Sequence, residues 1–160
     1  MISCSTMPQQ SSSSKTYDAA DLFADDSKFA EEKMLSVLNC FDDNDTAGLK
    51  ELFSESVVKH NELDKQIEKA FDSYDGKSVS HKEAECEICQ SECGKDHYTY
   101  KSIRIIMDNV VTNSNKEYFI ELVYVLVNEE DPSQVGLLQL SLYDAKDTNK
   151  ELISFIGEKI

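Results

Sequence analysis

The chain has 160 residues, and its 31 Asp and Glu against 16 Lys and Arg give a formal net charge of −15 at pH 7. An acid excess spread along the chain repels phosphate backbones, so we exclude nucleic acid as a partner. The length indicates about one domain, and the 40% hydrophobic content, with seven Tyr and seven Phe, indicates a globular chain. No run of about 18 apolar residues is present, so no segment is predicted to span a membrane.

Residues 1–27 differ in composition from the remainder of the chain and are predicted to form a flexible tether. They contain four consecutive Ser, Pro8 and no hydrophobic periodicity. Cys4 follows a medium-sized apolar residue and a small residue, as in a bacterial lipoprotein signal, which predicts lipidation of Cys4 and membrane contact only through that anchor. The alternative is a chance cysteine in an ordinary disordered terminus. The apolar stretch that precedes the cysteine in such signals is missing, so the chain is either trimmed or its reading frame starts upstream.

Helical periodicity dominates the part of the chain that follows the tether. Ser27 is predicted as the N-cap of a first helix. Asp45 or Thr46 is predicted to cap a second helix. A third helical stretch covers residues 62–74.

Beyond the third helix the hydrophobic period changes to two, which predicts strands. The predicted strands cover residues 78–90, 97–112, 117–128 and 135–143. Short turns between them indicate an antiparallel meander. Residues 151–156 come directly after a capping-box pattern, which favours a short helix, but their Ile and Phe content favours a strand equally. The sequence therefore does not decide the structure of residues 146–160.

This order of elements predicts an α+β fold, with three N-terminal helices on one face of a curved four-stranded antiparallel meander, as a single domain over residues 28–160. The strand at residues 118–127 is apolar on nearly both faces. One face has to meet the helices, and the other needs cover from sheet curvature, the C-terminal segment or a partner. A homodimer through this open sheet face is therefore our hypothesis for self-association.

Several blocks of the sequence resemble a known family. They are residues 44–54 (NDTAGLKELFS), residues 67–77 ending in FDSYDGK, Ser80, and the strand segments 118–122 and 136–138. In these blocks the chain resembles uncharacterised lipoproteins of gut Firmicutes, a family classified only as a domain of unknown function. Its order of elements also resembles the cystatin-like cone of the nuclear-transport-factor-2 superfamily. The resemblance covers residues 28–145 and implies a cone-shaped fold and a location outside the cytoplasm, but it carries no catalytic residues.

Cys86, Cys89 and Cys93 form a closely spaced cluster. A structural zinc or iron–sulfur site needs four ligands and usually a second closely spaced pair, which the sequence lacks. Acidic residues interleaved with the three cysteines would repel the thiolates that bind a metal. We therefore predict no metal site and no cofactor. Outside the cytoplasm the three cysteines are disulfide candidates, whose pairing the sequence does not determine.

The remaining acid–base patterns do not match known catalytic or metal sites. The acidic residues 42–45 before Gly48 fail two ligand positions of a calcium loop and are interpreted as a turn between helices. His60 and Asp64 would share a face of a continuous helix, but Asn61 is predicted to interrupt that helix. No hydrolase, zinc-protease or phosphate-loop motif is present, so the sequence identifies no catalysis.

The candidate binding residues lie on the second predicted strand. Tyr98, Tyr100 and Arg104 alternate on one face of it, and a single Arg among Tyr hydroxyls is suited to a carboxylate or sulfate group. The alternative is that Arg104 pairs with an outward Glu of the neighbouring strand. We predict an extracytoplasmic module that binds a small molecule or a protein. The alternative function is a small enzyme that uses the interior pocket of the cone, where it would have to bury a titratable group.

Overall fold

The structure is a computed structural model that describes residues 26–146 and 150–158. Four described α-helices precede the sheet, and none of them is long and apolar enough to cross a membrane. They are α1 (Asp26–Asp43), α2 (Thr46–Leu52), α3 (Glu55–Val58) and α4 (Leu63–Ser73). The predicted tether and Cys4 lie outside the described residues, except for Asp26 and Ser27, which belong to α1.

The second predicted helix is divided into α2 and α3, so the prediction of three helices is wrong. The break lies at Phe53 and Ser54, whose backbones are extended, with ψ angles of 149° and 157°. Ser54 caps α3 because its side chain accepts a hydrogen bond from Val57 N (3.5 Å). Ser54 N donates to the carbonyl oxygen of Leu137 (2.9 Å), so the break also joins the helices to the sheet.

The six described strands form one antiparallel sheet in the order β1-β3-β4-β5-β6, with β2 also paired to β3. They are β1 (Ser78–Ser80), β2 (Glu85–Cys93), β3 (Tyr98–Thr112), β4 (Glu117–Asn128), β5 (Gly136–Asp144) and β6 (Glu151–Gly157). The prediction of four strands is wrong for two reasons. Residues 81–84 leave the ladder and divide the first predicted strand into β1 and β2, which share one edge of β3. The C-terminal segment that the sequence left open adds β6 to β5.

The helices pack on one face of the sheet and build the hydrophobic core there, which confirms the α+β class. On β3, Ile103, Ile105 and Met107 are fully buried in this core. Each fully buried aliphatic side chain contributes about 1.5–3 kcal/mol to folding. Because side chains alternate along a strand, Arg104 belongs to the opposite, helix-free face.

One end of the sheet is closed by the tyrosine cluster, which we define as Phe41, Asp42, Tyr74, Ser78 and Tyr118. The Tyr74 ring stacks on Phe41 and on Tyr118, with 4.9 Å between the ring centroids of each pair. Asp42 Oδ1 accepts hydrogen bonds from Tyr74 Oη (3.2 Å) and Ser78 N (2.7 Å). Burial, and then the Asp42 carboxylate, raise the pKa of Tyr74, so this hydroxyl stays protonated and continues to donate. The cluster ties the end of α1 to β1 and to the start of β4.

Candidate binding groove

A groove of about 530 Å³ lies at the other end of the sheet, where β2 and β4 end and β3 begins. We call it the acidic groove. It is lined by Gln90, Glu92, Thr99, Tyr100, Asn128, Glu129, Glu130, Asp131 and Gln134. Tyr100 stands opposite Glu92 on one side and Asn128 on the other in the strand register. Cross-strand neighbours lie on the same face of a sheet, so the floor of the groove continues the helix-free face that carries Arg104.

The loop between β4 and β5 forms one wall of the acidic groove. Hydrogen bonds within this segment fix its conformation. Asn128 Oδ1 accepts from Asp131 N (2.9 Å), and Asn128 Nδ2 donates to Gln134 Oε1 (3.1 Å). Asp131 Oδ1 accepts from Ser133 N (3.2 Å) and Ser133 Oγ (2.6 Å), which caps the short 3-10 helix Pro132–Gln134. The groove is therefore largely preformed on this side.

The charge of the groove is negative. Four of its lining residues are carboxylates, and none is Lys or Arg. Glu129 contacts His97 Nε2 (2.8 Å), and Glu92 Oε1 accepts from Gln90 Nε2 (3.1 Å). Glu130 is exposed and makes no hydrogen bond or ion pair with the described residues. Such a concave surface attracts cations and repels anions.

The structure does not bring the three predicted binding residues together. Tyr100 lines the acidic groove. Tyr98 is 8% exposed and lies on the helix side, where its ring centroid is 5.3 Å from Lys101 Nζ. The ladder between β2 and β3 shifts its register between Glu92 and Cys93, and such a bulge re-aims the side chains beside it.

Arg104 is held by acidic neighbours on the helix-free face. Its Nη1 atom is 3.0 Å from Glu87 Oε1, and its Nε atom is 3.8 Å from Glu121 Oε1. The carboxylate of Glu121, with a smaller contribution from Glu87, raises the pKa of the Arg104 guanidinium. The structure therefore contains the cross-strand pairing that the sequence offered as the alternative. A role for Arg104 in binding an anion stays a prediction.

A buried ion pair lies beneath the groove end of the sheet, on the helix side. Lys101 is fully buried, and its Nζ atom is 2.6 Å from Asp26 Oδ2 at the start of α1. Sequence reasoning missed this pair, although one signal was present. Lys101 shares its face of the strand with Ile103 and Ile105, so the alternating pattern places the Lys101 side chain on the core side of the sheet.

The described cysteines, Cys40 and the three of β2, are free thiols. Cys86, Cys89 and Cys93 follow one another along an extended strand, which separates Cys89 and Cys93 by about 13 Å at 3.3 Å per residue. A disulfide needs its two Cα atoms within about 7 Å, which Cys89 and Cys93 do not meet along one extended strand, and disulfide formation by the three cysteines stays a prediction. Burial, followed by the charge of Asp26, raises the pKa of the Cys86 thiol.

The other candidate groups also lie apart. His60 contacts Glu158, whereas Asp64 pairs with Lys50 (2.6 Å), so the two are not a dyad. Within residues 26–146 and 150–158, no group of three or more His, Cys, Asp or Glu is arranged to hold a metal ion.

A second groove, of about 340 Å³, lies on the helix side between α1, α2 and the adjoining ends of β4 and β5. Its floor includes Tyr124, whose hydroxyl donates to the carbonyl oxygen of Leu52 (3.3 Å). Burial raises the pKa of Tyr124 to about 12, so this hydroxyl is not a base at neutral pH. The buried Lys101 lines neither groove.

Comparison with known protein families gives a match over most of the described chain. The family described as Domain of unknown function (DUF5104) matches residues 36–146, which is more than half of the chain. The matched range contains the tyrosine cluster and the acidic groove, but it begins after Asp26. No curated protein matches the chain.

Proposed function

The chain belongs to the DUF5104 family, and we propose that it is a binding module whose acidic groove takes a cationic ligand. The observation that carries this proposal is a groove of about 530 Å³ with four carboxylates and no Lys or Arg in its lining. Ligand sites are concave and bring a few polar groups together, and here those groups share one sign of charge. Tyr100 supplies an aromatic ring and a hydroxyl at the floor, where a cation can also contact a π-face.

This proposal changes the ligand expected from the sequence. The carboxylate or sulfate expected beside Arg104 would meet Glu87 and Glu121, which already contact the guanidinium. A cationic small molecule or a basic segment of a protein meets no such repulsion in the acidic groove. The catalytic alternative has less support, because the buried Lys101 lines neither groove and Tyr124 is held in its protonated form.

We also propose where the module works. The lipoprotein-like context of Cys4 and the composition of residues 1–27 support a lipid-anchored tether that holds a single domain, residues 28–160, outside the cytoplasm. The order of helices and strands supports a cystatin-like cone of the nuclear-transport-factor-2 type. Homodimerisation through the helix-free face is a further proposal, which sedimentation of the purified chain at high concentration tests directly.

Calorimetric titration of the full chain tests the groove. The probes are a linear triamine (spermidine), a neutral alcohol of similar length and citrate. We expect the triamine to bind, with an affinity that falls as ionic strength rises, and the two others not to bind. The variant Glu92→Gln/Glu130→Gln removes two groove charges and should weaken triamine binding about tenfold or more, because each charged contact contributes on the order of 1 kcal/mol.

The matched control is Glu68→Gln/Asp72→Asn, which removes the same charge from exposed positions of α4. It should change the triamine affinity less than twofold. Equal losses in both variants would assign binding to net charge alone and contradict a groove site. Tighter binding of citrate than of the triamine would contradict the sign of the proposed ligand.

A further inference from the structure

We propose that the outer edge of β2, together with the acidic groove, binds an extended basic segment of a partner protein, which adds to the sheet as a further strand. This inference rests on the proposed cation-binding function of the groove. It goes beyond that function because it names a protein segment as the ligand and backbone pairing as the main contact.

The first observation is that β2 is an open edge. It pairs with β3 on one side, and within the described residues no strand pairs with its other side. Eight of its nine residues are exposed, and the ninth, Cys86, is half-buried. An edge strand of this length presents a row of backbone N–H and C=O groups to which an extended chain can pair.

The opposite edge of the sheet differs. α4 lies against β6, and Gly157 N at the end of β6 donates to Gln66 Oε1 (3.0 Å). On the β2 side α1 contacts the strand less extensively, and Ala84 N, just before β2, donates to Glu31 Oε2 of α1 (2.7 Å). The helices therefore pack more extensively against β6 than against β2, and most residues of β2 are exposed.

The second observation is the charge along that edge. Glu87 and Glu85 stand opposite Arg104 and Ile106 in the register, which places both acids on the helix-free face. Further along β2, Gln90 and Glu92 line the acidic groove. The acidic side chains of the β2 edge and those of the acidic groove therefore lie next to each other on the helix-free face of the sheet.

Charge complementarity selects the occupant. Side chains of an added strand lie about 5 Å from their cross-strand neighbours, close enough for opposite charges to pair and for like charges to repel. A segment with Lys or Arg at every second position would set its cations beside Glu85 and Glu87 and extend one into the groove. A second copy of this chain would instead bring its own acidic β2 to the same edge.

The experiment measures binding of a synthetic, end-capped peptide of about nine residues in which Lys alternates with Thr. An added strand of this length spans β2 at about 3.3 Å per residue. Along an added strand only every second residue points its N–H toward the neighbouring strand. We therefore use two further peptides, N-methylated at the Lys residues or at the Thr residues. Strand addition predicts that one N-methylated peptide binds at least tenfold more weakly, whereas the other changes less than twofold.

The protein variants use matched charge reversals. Glu85→Lys/Glu92→Lys should weaken binding of the unmodified peptide at least tenfold, and Glu68→Lys/Asp72→Lys on α4 should weaken it less than threefold. Circular dichroism and the midpoint of thermal unfolding verify that all variants are folded. A peptide in which Glu replaces Lys should not bind.

The outcomes separate this inference from the proposed function. If both N-methylated peptides bind as well as the parent while Glu85→Lys/Glu92→Lys abolishes binding, strand addition is overturned and cation binding in the groove stands. If neither the triamine nor any peptide binds, both proposals fail. A dimer in sedimentation that Glu85→Lys/Glu92→Lys alters would assign the edge to a second copy and overturn the inference.

Discussion

The tyrosine cluster and the acidic groove lie at opposite ends of β4, and their polar groups differ in what they contact. In the tyrosine cluster the carboxylate of Asp42 accepts hydrogen bonds from Tyr74 and Ser78, and the rings stack on both sides of Tyr74. In the acidic groove the carboxylate of Glu130 contacts no described partner, and Glu92 contacts only a neighbouring amide. Polar groups at the first end stabilise the fold, whereas the carboxylates of Glu92 and Glu130 at the second end remain available to a ligand.

The largest loss of stability is expected when the buried ion pair between Lys101 and Asp26, beneath the acidic groove on the helix side, is broken. Asp26→Asn removes the carboxylate that contacts the fully buried Lys101 (2.6 Å) and should lower the free energy of unfolding by about 3 kcal/mol. Urea denaturation measures this value. The control is Asp64→Asn, whose pair with Lys50 is exposed and should contribute less than about 0.5 kcal/mol. Equal effects of the two substitutions would show that the buried pair does not anchor α1 to the sheet.

In the tyrosine cluster, Tyr118→Phe should lower the free energy of unfolding by about 1–2 kcal/mol. The Tyr118 hydroxyl accepts from Asp75 N (2.8 Å) and donates to the carbonyl oxygen of Ser73 (3.2 Å), and the substitution leaves both partners unpaired. Tyr143→Phe is the control, because the Tyr143 ring packs edge-to-face on Phe119 and its hydroxyl bonds to no described residue. Binding of the triamine should be unchanged in both variants, and a change would contradict the separation of the two ends.

Alkaline pH should destabilise the fold through its buried tyrosines. Burial raises the pKa of Tyr124 to about 12, whereas a Tyr of the unfolded chain titrates near 10. Between these values the unfolded chain binds fewer protons than the folded one, so stability that is complete below about pH 10 is lost as pH approaches 12. The slope of unfolding free energy against pH in this window should be shallower in Tyr124→Phe. An identical slope in both proteins would contradict the burial of this hydroxyl.

The smallest change in stability is expected in the groove itself. Glu92→Gln/Glu130→Gln should alter the free energy of unfolding by less than about 0.5 kcal/mol, because neither carboxylate contacts a buried group. The same variant should lose triamine binding about tenfold. A loss of stability comparable to that of Tyr118→Phe would show that the groove acids belong to the structural framework.

The sequence predicts the regular elements well where hydrophobic periodicity is strong. The predicted strand at residues 117–128 coincides with β4, and the strand predicted from residue 97 begins one residue later as β3. Periodicity does not report where a strand leaves its ladder, so the division at residues 81–84 was missed. Periodicity also does not show where a contact with the sheet interrupts a helix. Here the hydrogen bond from Ser54 N to the carbonyl oxygen of Leu137 lies at the break between α2 and α3.

The blocks that carry the resemblance to a known family are largely explained by packing and capping. Asp45, rather than Thr46, caps α2 by accepting from Gly48 N (2.8 Å), and Tyr74 is the centre of the tyrosine cluster. The acidic groove could not be predicted in this way, because its residues come from three segments that are distant in sequence. Only the register of β2, β3 and β4 brings residues 90–92, 99–100 and 128–134 together.

The most direct test of a cation site at the groove end is a nuclear magnetic resonance titration of the ¹⁵N-labelled chain with the Lys–Thr peptide. We predict that chemical-shift changes concentrate on β2 and on residues 128–134, with amides of the tyrosine cluster unchanged. Changes centred on Tyr74 and Tyr118, with residues 128–134 unaffected, would contradict the assignment of stability to one end of the sheet and binding to the other.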